Sequence, residues 1–299
     1  MPNLNKNLEK DLKKVESLMR KNLSKEPVVS DLYDYIFNKS GKKVRASISL
    51  ISSYGMNKNQ QNRVKLAAII ELLHTATLVH DDIVDNSDLR RGRTTVNVAW
   101  SNSHGVLIGD FIYSKAFMLM NEIGNLKVVD ELSSATNKIA EGELMQLENK
   151  NNLDTSLQQL KRISYYKTGR LFEASAKSAA MLSNKSISFI ENISKAAKLI
   201  GIAFQVRDDL LDYGISKGNI GKPEMQDILE DKITYPLYFA LKSSSKKDTS
   251  RILKKIKNKD FNAEEVSDFV SSSDAFNKCN SLIQSYSNEI SKCINNCLL

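Results

Sequence analysis

The sequence predicts an all-α protein that folds as one large helical bundle. Four prolines occur in 299 residues, at positions 2, 27, 223 and 236, so the long stretch between the second and third has no residue that breaks a helix by lacking an N–H donor. Apolar residues recur every three or four positions, the period of an α-helix, and no useful stretch alternates as a strand does. A hydrophobic content of 41% is enough for a large core.

The first predicted helix lies at the N-terminus, where leucine, valine and methionine recur at helical spacing through residues 4–23. Glycines divide the remainder into helices of about 15 to 30 residues, because glycine disfavours helix interiors. They lie near positions 41, 55, 92, 105, 124 and 214–221. The lysine-rich stretch 243–260 predicts a helix with a solvated basic face. No linker divides the chain, so we expect a single domain over residues 1–299.

The composition limits the class of function. A net charge of +8 is compatible with nucleic acid, a membrane surface or small anionic substrates. Cys279, Cys293 and Cys297 have no cysteine or histidine at metal-ligand spacing and predict ordinary thiols in a reducing compartment. The N-terminal residues carry frequent charges, unlike a signal peptide, and no run approaches the ~20 apolar residues of a membrane span. We therefore expect a cytoplasmic protein without a transmembrane segment.

Two short stretches carry the strongest functional signal. Residues 80–85 read HDDIVD and residues 207–212 read RDDLLD, so each has three aspartates at positions i, i+1 and i+4. Positions i and i+4 share one helix face, and six carboxylates facing one space repel one another unless cations neutralise them. Oxygen ligands without cysteine or histidine favour Mg²⁺. The predicted metal ligands are Asp81, Asp82, Asp85, Asp208, Asp209 and Asp212.

An alternative explanation for one cluster is the attraction of acids to a helix N-terminus. Apolar residues such as Val79 and Val206 precede the clusters, so we expect each cluster to continue a helix that has already begun. Basic residues accompany the acidic ones. Arg90 and Arg91 follow the first cluster, and KKVR at 42–45 opens a predicted helix whose free N–H groups attract anions. The combination predicts a site for metal ions and phosphate groups.

These residues, with the stretches ELLHTATLVHDDIVDNSDLRRGRTTVNVAW and GDFIYSKAF, resemble the trans-isoprenyl diphosphate (polyprenyl) synthases, especially bacterial octaprenyl-forming members. The resemblance covers roughly residues 28–245. It implies an isoprenoid-synthase-type helical bundle around a deep central cavity, a homodimer, and three Mg²⁺ ions between the aspartate clusters. It also implies a reaction. An allylic diphosphate, here farnesyl diphosphate, condenses with successive isopentenyl diphosphates to an all-trans octaprenyl chain for a quinone, a product that would partition into a membrane.

The same resemblance implies roles for individual residues. Isopentenyl diphosphate would be bound by Lys42, Arg45, His74 and Arg91. The allylic diphosphate would be bound by Arg90, Lys167, Lys222 and Lys232. Thr168 and Gln205 would turn oxygens toward an allylic carbocation, and would also contact substrate with Lys167. The implied catalytic set is Asp81, Asp82, Asp85, Asp208, Asp209, Lys167, Thr168 and Gln205.

Product length is predicted from Ala76 and Thr77, the residues five and four positions before the first cluster. Both are small, whereas the resemblance implies that aromatic residues there would stop the growing chain early. Phe117 or Met118 would then form the cavity floor. An alternative is that Ala76 and Thr77 are small only for helix packing. His80 is expected to be a core residue.

Four positions depart from the pattern of the resembled family. Ser40 and Ala46 stand where a glycine and a proline are usual in the first basic motif, and Gln226 and Asp231 stand where aspartate and glycine are common. The first two bear on the isopentenyl diphosphate contacts. The other two bear on the chain after the second cluster, where Asp227 is retained.

Four other interpretations compete with the long-chain synthase. They are a shorter-chain (farnesyl or geranylgeranyl) synthase, a non-catalytic subunit of a heteromeric synthase, a terpene cyclase and a helical nucleic-acid-binding protein. A cyclase typically mixes asparagine, serine or threonine with glutamate in its second motif, and a non-catalytic subunit generally loses aspartates. A nucleic-acid binder needs a basic face with base-reading partners. We therefore expect no nucleic acid as a partner.

Overall fold

The computed structural model describes residues 2–21, 24–38, 41–54, 60–90, 92–150, 152–213 and 225–298, and these are overwhelmingly helical. A two-stranded antiparallel hairpin, β1 (Leu89–Arg90) and β2 (Arg93–Thr94), interrupts the helices of the N-terminal half. Those helices are α1 (Pro2–Lys21), α2 (Pro27–Phe37), α3 (Val44–Ser52), α4 (Gln60–Val84), α5 (Val96–Ala99), α6 (Asn102–Ile123) and α7 (Leu126–Glu148). The predicted all-α class is confirmed.

The C-terminal half begins with α8 (Leu157–Ser164), which passes through a five-residue π-helix (Tyr165–Gly169) into α9 (Arg170–Leu182). It continues with α10 (Ile187–Asp212), α11 (Gln226–Leu229), α12 (Tyr235–Ser243), α13 (Lys246–Lys257), α14 (Ala263–Ser271) and α15 (Ala275–Leu298). The most extensive contacts between helices join α4 to α6, and α10 to α9 and α15. Within the described residues, no helix is long and apolar enough to cross a membrane.

Helix α4 is the central element of the larger core. Its residues 66–70, 72 and 73 are completely buried, so the helix is apolar on every side over this stretch, as a core helix must be. Residues of α1, α2, α3, α6, α7 and α9 pack around it. The polar end of α4, with the first aspartate cluster, therefore projects from a rigid support.

The sequence predictions for individual elements are confirmed in part. Helices of about 15 to 30 residues were expected, but the described ones range from 4 residues in α5 and α11 to 26 in α10. The first helix is α1, which buries Val15 and Met19. The basic stretch is α13, which turns Ile252 and Ile256 inward and most of its lysines outward. Gly105 was expected to separate two helices, but it lies inside α6. The residue is a glycine because a Cβ there would come within 2.6 Å of the Ile83 side chain on α4.

Candidate active site

A cavity of about 820 Å³ is lined by residues at the C-terminal ends of α4 and α10. All six predicted aspartates line it. The described members of the predicted basic and polar set also line it, namely Lys42, Arg45, His74, Arg90, Lys167, Thr168, Gln205 and Lys232. Arg91 and Lys222 lie outside the described residues. The structure therefore brings together the predicted residues that it describes, other than Ala76 and the expected floor residues Phe117 and Met118.

The position of the clusters within their helices matters for their charge. Asp81 and Asp82 lie in the last turn of α4, and Asp208, Asp209 and Asp212 in the last turn or so of α10. The C-terminal end of a helix carries partial negative charge, which disfavours anionic side chains and favours cations. The helix N-terminus explanation is therefore wrong for both clusters, and the backbone adds to their demand for positive charge.

The electrostatics of the first cluster differ between neighbours. Burial, then the nearby Glu143, raise the pKa of Asp81 to about 7. Burial also acts on Asp85, but the Lys232 ammonium, which donates to Asp85 Oδ2 at 2.9 Å, holds the pKa of that carboxyl below its usual value. Asp82 accepts a hydrogen bond from Arg90 Nε at 2.6 Å. The cluster is thus already partly neutralised by protein cations.

The second cluster is held by hydrogen bonds from three elements. Asp209 accepts from Gln205 Nε2 at 2.8 Å and from the Tyr235 amide at 3.3 Å, yet its burial raises its pKa to about 7. Asp212 accepts the backbone N–H groups of Gln226 and Asp227 at 3.0 and 3.1 Å. Gln226, which stands where aspartate is common in the resembled family, therefore contacts Asp212 through its backbone N–H and not through its side chain.

The π-helix presents Lys167 and Thr168 to the cavity. Close helix approach around it depends on glycines. A Cβ on Gly142 of α7 would lie 2.8 Å from the Lys167 amide, and one on Gly201 of α10 would lie 2.6 Å from the Cα of Gly169. A single π turn inside an α-helix is frequently found at functional sites. Here it lies at the contact of three helix segments.

Two short hydrogen-bond chains fix the π-helix side chains. Lys167 Nζ donates to Glu143 Oε2 at 2.7 Å and to Gln146 Oε1 at 2.8 Å. The Thr168 hydroxyl donates to Gln205 Oε1 at 2.7 Å, and Gln205 in turn donates to Asp209. Because Thr168 donates its proton to Gln205, its oxygen lone pairs remain available as acceptors.

The basic residues of α3 form a separate wall. Arg45 donates to His74 Nε2 at 3.0 Å, so that nitrogen carries no proton, and the Arg45 guanidinium stacks 4.5 Å above the Phe172 ring. The amide of Ala46 donates to Glu71 Oε1 at 2.9 Å. A proline at position 46 has no N–H, so this departure from the family pattern adds a contact that fixes the start of α3.

The residues predicted to control product length are placed differently from one another. Thr77 lines the cavity, whereas Ala76 is completely buried in the core beside it. The expected floor is wrong. Phe117 is 46% and Met118 68% exposed, because α6 packs on α4 through the faces that hold Ala116 and Leu119.

His80 packs against other side chains but is not the core residue that was expected, since its side chain is 29% exposed and its Nε2 lies 3.6 Å from Asp110 Oδ1. Its ring stacks on Tyr113 at 5.9 Å between centroids and its Nε2 lies 3.2 Å from the Val106 carbonyl oxygen. The packing of the His80 ring also requires a glycine at position 109, since a Cβ there would lie 2.1 Å from His80 Nε2.

The end of α7 supplies site residues that the sequence reasoning missed. Glu143 and Gln146 hold Lys167, Asn149 lines the cavity, and Lys150 lies 3.7 Å from Asp85 Oδ1. The polar residues of EGELMQLENK at intervals of three, four and seven were a usable signal. On a surface helix, however, the same spacing is ordinary.

The potential metal ligands in the site are carboxylate oxygens, yet they do not surround a single metal position. Within the ranges given above, no three carboxylate, imidazole or thiol groups converge closely enough to hold a metal ion by themselves. Mg²⁺ commonly binds through one or two carboxylates and completes its shell with water and substrate phosphate. The donor set, all carboxylate and at the negative ends of two helices, fits that ion.

The sequence matches the family described as Polyprenyl synthetase over residues 26–272. The chain belongs to this family. Octaprenyl diphosphate synthase of Escherichia coli is 41% identical over 214 residues, which are 72% of this chain and 66% of that protein, just under two thirds of its length. An all-trans-nonaprenyl-diphosphate synthase (geranyl-diphosphate specific) of Rhodobacter capsulatus is 40% identical over 222 residues, 74% of this chain and 68% of that one.

Solved structures of polyprenyl synthetase relatives have the same fold. A polyprenyl synthase from Caulobacter crescentus, complexed with calcium and isoprenyl diphosphate, superposes with a TM-score of 0.92 at 29% identity. The superposition covers 98% of this chain and 90% of that one. The predicted family and its isoprenoid-synthase-type fold are confirmed.

Proposed function

We propose that this protein is a Mg²⁺-dependent trans-prenyltransferase that condenses an allylic diphosphate with successive isopentenyl diphosphates. The observation that carries the proposal is that two complete aspartate clusters, with the basic residues between them, line one cavity. The names of its relatives in the polyprenyl synthetase family support this activity. Farnesyl diphosphate is the proposed starter and an octaprenyl chain, for a quinone, the proposed product.

Asp81, Asp82 and Asp85 would hold Mg²⁺ on one side of the cavity, and Asp208, Asp209 and Asp212 on the other, with three ions between them. When bound, the metal supplies Lewis-acid stabilisation of diphosphate as a leaving group. Asp81 and Asp209 have raised pKa values that a nearby cation would lower again. The buried carboxylates therefore favour metal occupancy.

The protein's own cations would bind the allylic diphosphate. Arg90, Lys167 and Lys232 each pair with an acidic residue at the cavity wall, and a diphosphate with its metal ions could take over these partners. Fixed positive charge aimed at a leaving group stabilises the transition state more than the ground state. We assign Lys222 the same role from its sequence position.

Isopentenyl diphosphate would bind at the start of α3. Lys42 and Arg45 contribute positive charge, and the positive end of the α3 helix dipole adds to it. Since Arg45 donates to His74 Nε2, the His74 proton is on Nδ1, which can donate to a phosphate oxygen. We assign Arg91 to this diphosphate as well.

The polar residues of the π-helix would serve the carbocation that forms when the diphosphate leaves. The Thr168 oxygen and the Gln205 carbonyl oxygen carry partial negative charge at the cavity wall. The double bond of isopentenyl diphosphate would attack the cation, and the departing diphosphate would accept the proton that is lost. The product is five carbons longer and can be extended again.

A shorter product is the second candidate, and the burial of Ala76 favours it. Ala76 is completely buried in the core and does not line the cavity, so the cavity is closed on the Ala76 side of α4. The long-chain proposal therefore requires that space opens beside the small residues Ala76 and Thr77. The names of the relatives favour the long chain.

We also propose a homodimer in the cytoplasm, formed by a single domain over residues 1–299. The support is a set of exposed apolar side chains on α6 and α7, of which Leu107 and Met118 are each 68% exposed, Leu126 84% and Leu144 63%. Large apolar side chains that a dimer would cover are typical of association surfaces. The product would pass to a membrane, and no nucleic acid is expected as a partner.

The test is incubation of the protein with farnesyl diphosphate, labelled isopentenyl diphosphate and Mg²⁺, followed by phosphatase treatment and product sizing. We expect all-trans products near C40, and none when a chelator removes Mg²⁺. Failure to incorporate isopentenyl units with any allylic starter would contradict the prenyltransferase. Products that stop at C15 or C20 would contradict only the long-chain proposal and favour the second candidate.

A further inference from the structure

Lys150 is a cation at the first aspartate cluster that the family resemblance did not indicate. Its Nζ lies 3.7 Å from Asp85 Oδ1, while Lys232 Nζ donates to the other oxygen, Oδ2, at 2.9 Å. Asp85 thus has one ammonium group at each carboxylate oxygen. Its side chain is 17% exposed, so water screens these two contacts only in part.

The backbone at Lys150 is fixed by a built turn. Asn149, 6% exposed, ends α7. Its side-chain Oδ1 accepts hydrogen bonds from Asn152 Nδ2 at 3.0 Å, Thr155 Oγ1 at 3.1 Å and Gln159 Nε2 at 2.8 Å. The Lys150 amide also donates to the Leu147 carbonyl oxygen at 3.2 Å. Three donors on one buried oxygen hold the turn in place, so the Lys150 side chain extends from a defined point beside the cavity.

The two ammonium groups differ in freedom. The Lys232 side chain is 8% exposed and is also bound by Glu230, whereas the Lys150 side chain is 26% exposed and lies beyond hydrogen-bond distance of Asp85. Lys150 can therefore move away from Asp85 at small cost when a divalent cation takes that oxygen. A long flexible ammonium side chain at the edge of a phosphate site can then follow the anion.

We propose that Lys150 is a further diphosphate-binding residue, which neutralises Asp85 before metal binds and contacts the allylic diphosphate afterwards. The proposal rests on the proposed function. It predicts opposite effects of one substitution on two ligands. Removal of the ammonium group eliminates a competitor of Mg²⁺ for Asp85, and it also removes a positive charge from the bound diphosphate.

The experiment compares the native protein with Lys150→Met and with Lys127→Met. Lys127 is exposed in the first turn of α7, roughly 35 Å along the helix from Lys150, so its variant removes the same charge far from the cavity. Mg²⁺ alone is titrated first, and its binding is measured by the rise in melting temperature of each protein. Inorganic diphosphate is then titrated calorimetrically at saturating Mg²⁺, and product formation by the native protein is measured separately.

For Lys150→Met we expect Mg²⁺ alone to bind about twofold to fivefold more tightly and diphosphate about threefold to tenfold more weakly, as for a partly exposed charge pair. Lys127→Met should match the native protein for both ligands. Equal diphosphate affinity in the two variants would overturn the proposal, as would weaker binding of both ligands to Lys150→Met, which indicates a structural defect. Absence of prenyl product from the native protein would instead count against the proposed function.

Discussion

Lys232 joins the two halves of the cavity, because its Nζ donates to Oδ2 of Asp85 at 2.9 Å across 147 positions of sequence. Burial lowers the affinity of this amine for a proton, but Asp85 and Glu230 outweigh that effect and raise the pKa of Lys232 above its ordinary value. The ammonium group is therefore charged at any physiological pH. It ties the end of α4 to the segment before α12.

We expect Lys232→Met to lower the free energy of unfolding by about 3 kcal/mol, because it removes the hydrogen-bonded cation that two partly buried carboxylates share. Urea unfolding measures this loss. Lys259→Met is the matched control, since Lys259 is 69% exposed and pairs with Asp231 at 3.1 Å. An exposed pair contributes at most about 1 kcal/mol. Equal losses of unfolding free energy in the two variants would show that the Lys232 ion pairs stabilise the fold no more than an exposed ion pair does.

Asp81→Asn and Asp208→Asn should each lower kcat by about 10²- to 10³-fold at saturating Mg²⁺, since each removes a ligand that acts on the ionisation step. Stability should not fall for Asp81→Asn. The Asp81 carboxyl is buried beside Glu143, so a neutral amide removes an unfavourable charge. Asp130→Asn, exposed on α7, serves as control. Near-native turnover of either cluster variant would contradict a mechanism in which both aspartate clusters bind the catalytic metal ions.

The aspartate clusters could be predicted from sequence because their spacing, i, i+1 and i+4, fixes their common face in any helix. The floor residues could not. The stretch FIYSKAFMLM around Phe117 and Met118 is apolar on nearly every side, so its pattern does not reveal which face meets α4. Lys150 was missed for a related reason. Its contact with Asp85 depends on a turn whose hydrogen bonds are not visible as a motif.

Lys115 predicts a pH dependence of stability. It is 5% exposed, donates to the Met19 carbonyl oxygen near the end of α1 and to Tyr33 Oη, and burial lowers its pKa to about 8. The folded protein therefore releases this proton at lower pH than the unfolded chain, whose lysines have a pKa near ~10.4. Between these values the unfolded state binds more protons, so stability rises with pH.

The gain over that window is on the order of 3 kcal/mol, and Lys115→Met should lack it. Urea unfolding of both proteins at pH 7 and pH 10 isolates the contribution, because all other groups are shared. The native protein should gain stability relative to the variant as the pH rises. A constant difference between the two proteins would show that Lys115 does not titrate in this range.

Product length tests how the cavity extends below the first cluster. Thr77 lines the cavity and donates its hydroxyl to the His74 carbonyl oxygen at 2.8 Å, whereas Ala76 is completely buried against the core. A tyrosine at either position should block the path of the growing chain. We expect Thr77→Tyr and Ala76→Tyr to shift the product to roughly C15 to C20 with turnover retained, since one isoprene unit advances about one helical turn.

The two variants should differ in stability. Ala76→Tyr forces a large ring into a packed core, which typically costs about 1–3 kcal/mol, while Thr77→Tyr can extend into existing space. Product sizing and melting temperature are measured together for both. A full-length product from both variants would show that these residues are small for helix packing alone. Shortening by Thr77→Tyr alone would place the path of the chain on the cavity side of α4, away from Ala76.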